Sequence, residues 1–453
     1  MYIQKRTLYL ILIIGIAAIS GVLYGYDLGI ITAALLVIPN DIPMSPTMMG
    51  IVGGSVLAGG AITILAAGPI SEIIGRKKMI FISSIIFLIG VVFLVTATSF
   101  IEIILGRLIQ GIGVGIITIV VPLYLAEVLP SNVRGRGMST FQWLLKFGVF
   151  FASIVGLFYT KSGNWHMMFF TSGIPCVILL CTCFILPESP RWLLKKGRKD
   201  EAFKILLKVC HYEEAKAIIS YEDNNDKECN KSSLIATIKS LFRRDYIKPV
   251  FIVLSVAVLN QLIGNNSLVP YSGILLKKAG LGSNYVSMIG SSTMTSLGII
   301  FTFVCMLLID KLGRKKVLCI GLSIVVITLG IAGLVFLVLP PGIIRGWIVL
   351  ISMLGFEAGY SVGPGVIIWL IISELLPNNI RSVGMSLALF LNSLASALLA
   401  SAFFSLATYI NYAGVYWLCG FFAILYLLIA AFLLPETKNK TLEEIEEHFT
   451  NKT

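Results

Sequence analysis

Four ionisable residues stand inside stretches that are otherwise apolar: Asp27, Arg107, Lys146 and Glu357. A charge at membrane depth is costly, so each marks a functional position by default. Asp27 sits among Gly21, Gly25 and Gly29, residues that let a second helix approach closely. Its carboxylate can take up and release a proton, and Arg107 is its expected partner. Pairing favours the ionised acid; loss of the partner in a dry site favours the neutral one. A static ion pair that merely fixes two helices is the alternative. Lys146 lies about 15 Å into its apolar stretch at 1.5 Å per residue and shares a helix face with Gln142. It is either a snorkelling lysine or a cavity residue that donates to a hydroxyl, pairs with a carboxylate or attracts an anion. Glu357, one turn from Ser361, is expected to serve a nearby polar group and not to transfer protons.

The elements that position these residues follow from composition. Of 453 residues, 57% are hydrophobic and 13% charged, against about 25% charged in soluble domains. Apolar blocks are long enough for helical membrane spans. A soluble enzyme, a disulfide scaffold, a disordered chain and an outer-membrane barrel are excluded. The net charge of +12 reads as basic cytoplasmic loops rather than nucleic-acid binding. The eight cysteines lack metal-site spacing, and neither metal nor cofactor is expected. Twelve transmembrane helices are predicted, with Lys and Arg concentrated in alternate loops, so both termini are expected to be cytoplasmic. The N-terminus, with Lys5 and Arg6 before a long apolar run, is read as a first span and not a cleaved signal.

The sequence also repeats itself. Glu72, Gly75, Arg76, Lys77 and Lys78 recur as Asp310, Gly313, Arg314, Lys315 and Lys316. Glu127, Pro130 and Arg134 recur as Glu374, Pro377 and Arg381, and Pro187-Glu188-Ser189 recurs as Pro435-Glu436-Thr437. The expected organisation is an all-α membrane protein of two pseudo-symmetric six-helix bundles, 1–186 and 249–434. A cytoplasmic linker with short helices (187–248) and a tail (435–453) complete it, with substrate held between the halves. The paired carboxylates and arginines (Glu72, Arg76, Glu127, Arg134, Asp310, Arg314, Glu374 and Arg381) are expected to latch the cytoplasmic side shut and to part when the halves rock.

These motifs resemble the sugar porters of the major facilitator superfamily, above all bacterial sugar–proton symporters. The likeness rests on Gly25-Tyr26-Asp27, both Gly-Arg-Lys-Lys turns, Gly106-Arg107, Pro122-x-Tyr124-x-x-Glu127 and Pro187-Glu-Ser-Pro-Arg-Trp192. It continues through Gln261-Leu-Ile-Gly264, Gly363-Pro-Gly365 with Trp369, and Pro435-Glu-Thr-Lys438. It implies the major facilitator fold and proton-coupled uptake of a monosaccharide by a monomer in the cell membrane. A facilitative sugar uniporter and a carrier of sugar acids or organic anions stay open as alternatives. The uniporters of the family carry Asn where this chain has Asp27. The resemblance also implies sugar ligands at Gln261, Asn266 and Asn392, with Trp369 stacking on the ring and Tyr271 kept from an aromatic pair. Gln142 and Asn265 join them as face-sharing neighbours, and four amides within one short segment exceed what helix–helix hydrogen bonding needs. Val149, Asn260 and Pro270 depart from the family pattern.

Overall fold

The computed structural model describes residues 2–210, 246–377, 380–438 and a few positions between 212 and 219. Apolar runs uninterrupted by turn residues become long helices. The first six are α1 (Tyr2–Asp41), α2 (Pro46–Ile74), α3 (Arg76–Val95), α4 (Phe100–Val128), α5 (Ser131–Ser162) and α6 (Trp165–Thr182). Their ends are marked by residues that satisfy free backbone groups. Ser45 caps α2, and Ser99 with Glu102 forms a reciprocal capping box on α4. Two short helices follow, α7 (Pro190–Lys195) and α8 (Lys199–Val209). The apolar face of α8, with Ala202, Leu206 and Val209, is buried, and Lys208 lies over the Tyr9 ring of α1. Both short helices lie within the 187–248 stretch; most of that stretch beyond α8 lies outside the described residues.

The second half holds α9 (Ile247–Leu262), α10 (Asn265–Leu268), α11 (Ser272–Ala279), α12 (Asn284–Leu312), α13 (Arg314–Val338), α14 (Ile343–Val362), α15 (Pro364–Glu374) and α16 (Arg381–Phe432). Two predicted spans are discontinuous. The seventh breaks at Gly264, whose φ of 92° lies in the left-handed region. The tenth breaks at Gly363, just before Pro364. The segment α16 runs over 52 residues, about 78 Å if it were one straight helix at 1.5 Å per residue and far more than a bilayer. Asn411, with φ 56° and ψ 174°, breaks it into the eleventh and twelfth crossings.

Helices α1 to α6 pack on one another, as do α9 to α16. Large apolar side chains such as Ile62, Phe158, Ile73 and Phe432 point outward; in a bilayer they face lipid. The turns at Gly75 and Gly313 lie on one face, the basic face. On the opposite face the halves meet closely: Ser405 bonds Thr47 at 2.9 Å, Asn284 bonds the Leu36 carbonyl at 3.4 Å, and Lys161 sits 4.4 Å above the Tyr285 ring.

Candidate functional site

The first half holds a fully buried ion pair. Gly25 of α1 lies so close to the Leu145 carbonyl of α5 that a side chain there would collide with it. This contact fixes the face of α1 that carries Asp27. Arg107 of α4 donates from Nη1 to Asp27 Oδ1 at 2.7 Å and to Gln110 Oε1 at 3.0 Å. Its guanidinium lies 5.7 Å from the Phe169 ring centre. Asp27 is 0% and Arg107 1% exposed. Asp27 Oδ2, Arg107 Nε and Gln110 Nε2 have no hydrogen-bond partner among the described residues. Half of the carboxylate is therefore unspent in a site where unspent polar atoms are costly.

The repeated motifs of the basic face make two matching clusters. Arg76 grips Glu127 with two hydrogen bonds, 2.9 Å from Nε and 2.8 Å from Nη2, and a third reaches the Ser71 carbonyl. Glu188 accepts the backbone N–H groups of Arg76 and Lys77 at 2.9 and 3.0 Å, and Ser189 bonds Glu127. In the second half Arg314 approaches Glu374 at 3.5 Å, Glu436 accepts the N–H groups of Arg314 and Lys315, and Thr437 donates to Glu374. Glu72 stands at the edge, 4.0 Å from Arg76 and 3.5 Å from Lys195. Each described pair joins helix ends within one bundle. Of Arg134, Asp310 and Arg381, expected to complete the latch, the structure describes the helical backbone and not the side chains. Glu188 and Glu436 were visible as a repeat, but only their placement under the N-termini of α3 and α13 explains them: a carboxylate there meets free N–H donors and the positive helix end.

The second half carries a string of amides at the Gly264 break. Gln261 donates to Asn392 at 3.1 Å, and Asn266 donates to Gln261 at 3.0 Å and to Ser396 at 2.9 Å. Asn265 donates to Asn266 at 3.3 Å, and Asn392 to the Ala257 carbonyl at 2.8 Å. Across the break, Gln261 from α9 and Asn266 from α10 both face α16, at Asn392 and Ser396. Trp369 on α15 is 37% exposed and Gln142 on α5 is partly exposed, and neither bonds to this network. Tyr271 is elsewhere. It is 1% exposed, packs against Gly53 of α2 and donates to the Ala400 carbonyl at 2.9 Å. Its place is in the seal of the opposite face, with its hydroxyl already committed.

Lys146 resolves against snorkelling. Its Nζ lies 2.8 Å from Glu357 Oε1, linking α5 of one half to α14 of the other. Ser361 also donates to that oxygen at 3.0 Å, so the polar neighbour expected for Glu357 is present and a second, charged partner joins it.

Two six-crossing bundles, closed on one face and holding polar side chains at mid-depth, are the arrangement of a membrane carrier. The chain belongs to the sugar porter family of the major facilitator superfamily: the family model "Sugar (and other) transporter" matches residues 13–449. It is 31% identical over 466 residues to the glucose transporter GlcP of Staphylococcus epidermidis, covering 99% of each chain. It is 30% identical to the arabinose-proton symporter of Escherichia coli K12, covering 95% of this chain and 91% of that one. Among solved structures, the inward open conformation of the xylose transporter XylE from E. coli superposes with a TM-score of 0.81 at 25% identity, covering 97% of this chain and all of that one.

Proposed function

We propose that this chain is a monosaccharide–proton symporter of the cell membrane. It works as a monomer by alternating access, with the basic face and both termini in the cytoplasm and the 187–248 linker joining the two moving halves. The observation that carries this reading is the buried Asp27–Arg107 pair: a charge held in a dry interior by one nitrogen of its partner. A proton on Asp27 cancels its charge and releases Arg107. The proton-loaded, sugar-bound carrier can then rock, and return of Arg107 expels the proton inside. Each proton crossing the membrane potential supplies about 2.3 kcal/mol per 100 mV, enough to concentrate a neutral solute. An amide at position 27 could not take part in this cycle.

Gln261, Asn265, Asn266 and Asn392 are the hydroxyl-binding set. Their mutual bonds can be exchanged for bonds to a sugar without leaving polar atoms bare. Trp369 offers a ring face and Gln142 a further amide from the other half. A neutral solute is favoured over a sugar acid because Lys146 and Arg107 each already hold a carboxylate. The test is uptake into liposomes by the purified protein, with pentoses and hexoses, with and without a proton gradient. Accumulation should require the gradient. Asp27→Asn should abolish accumulation while sugar exchange continues; accumulation that persists in Asp27→Asn defeats the coupling scheme.

A further inference from the structure

Among the described residues, Lys146–Glu357 is the sole ion pair that joins one half of the molecule to the other. Its position along α5 is informative. Contacts between α5 and the second half step inward from the closed face, with Lys161 over Tyr285, Ser153 on Thr295 at 3.1 Å, and then Lys146 on Glu357. From Lys161 to Lys146 is about 22 Å along the helix. No hydrogen bond or ion pair between described residues crosses the halves nearer the basic face. The pair is therefore the innermost of the polar contacts between the halves among the described residues.

The two ends of the pair are built differently. Glu357 is 2% exposed and fixed in its own bundle. Gly298 of α12 abuts its carboxylate so closely that a side chain there would displace it, Ser361 shares its Oε1, and Oε2 has no partner among the described residues. Lys146 is 21% exposed, and its ammonium also lies 5.7 Å from the Tyr360 ring centre. The acid thus waits in a socket, and the lysine enters it from the other half. An apolar contact would seal this place as well. What an ion pair adds is a contact that is strong while dry, lost over a short separation, and replaced by water once the gap opens.

We propose that Lys146 and Glu357 are positioning residues of the transport cycle. Their cross-bundle pair holds the carrier in the state closed on the outer face and must part each time that face opens. It goes beyond the symport reading and rests only on the rocking of the halves, not on the identity of sugar or coupling ion.

The test measures the outer gap in nanodiscs by electron–electron distance spectroscopy, without sugar or gradient. Labels go at Ser162 and Val338, exposed at the outer ends of α5 and α13, in a cysteine-free background. The parent should show mainly the short distance. Lys146→Met strands a buried carboxylate and should move the long-to-short ratio toward open by about tenfold or more. Glu357→Gln strands a lysine that already reaches water and should move it less. Lys146→Met/Glu357→Gln, which leaves no orphan charge, should return most of the way, and Lys146→Arg should match the parent. Unchanged distances in Lys146→Met, or single effects that simply add in the double variant, overturn the proposal. The double and Arg variants keep the test decisive if Lys146→Met folds poorly.

Discussion

Arg107 reaches Asp27 across two helices with a single nitrogen, Nη1, and spends that same nitrogen on Gln110. The guanidinium could offer a carboxylate two parallel bonds, yet Oδ2 of Asp27 has no partner among the described residues. The pair is thus held by one contact that a small helix shift can break. A bidentate clamp would resist that shift.

The two members of this pair should respond differently to loss of the other. Arg107→Met leaves an unpaired acid in the interior, which costs about 3–5 kcal/mol if the acid stays charged. An acid can escape that cost by taking a proton. The native variant then holds a proton that its unfolded chain releases at neutral pH, so its stability should fall as pH rises. Thermal unfolding in detergent should show a deficit relative to the parent that is larger at pH 8 than at pH 5. Adding Asp27→Asn to Arg107→Met should remove most of the pH dependence.

The clusters of the basic face predict matched effects in the two halves. Glu188 and Glu436 each accept two successive backbone N–H groups where a helix begins at a positive-φ glycine. Glu188→Gln and Glu436→Gln keep the shape but lose the charge, and one amide nitrogen then faces a donor. Each should cost about 1–2 kcal/mol, read as a drop in unfolding temperature. Each should also raise the reactivity of a cysteine placed at Lys78 or Lys316. A loss confined to one half would count against their equivalence.

The amide string and Tyr271 should separate in transport kinetics. Gln261→Ala and Asn266→Ala remove hydrogen-bonding groups from the proposed sugar site and should raise KM about tenfold or more each, at roughly 1.4 kcal/mol per decade. Tyr271→Phe removes one hydroxyl bond to the Ala400 carbonyl in the seal. It should lower stability by about 1 kcal/mol and leave sugar affinity from the inner face unchanged. If Tyr271→Phe alone weakened binding from that face, the tyrosine would belong to the site.

By itself the sequence determined the spans, the repeat and the family, because those are encoded locally. Long apolar runs demand helices in lipid, and a motif repeated in order demands two like halves. Asp27 and Arg107 were legible together because two opposite charges in lipid-facing sequence leave each other little alternative. Helix periodicity places Lys146 and Gln142 on one face but carries no information about what lies opposite. Only the docking of the two bundles brought Glu357 to Lys146. The same limit applies to Arg76 and Arg314: their spacing announces an ion pair, while the packing of α3 on α4 and of α13 on α15 decides that each closes within its own bundle. Tyr271, too, was read from its neighbours along the chain, but the break at Gly264 turns the segment after it and buries that ring between the halves. Residue types and spacing fix what each helix can offer; which offers meet depends on the rigid placement of helices far apart in sequence.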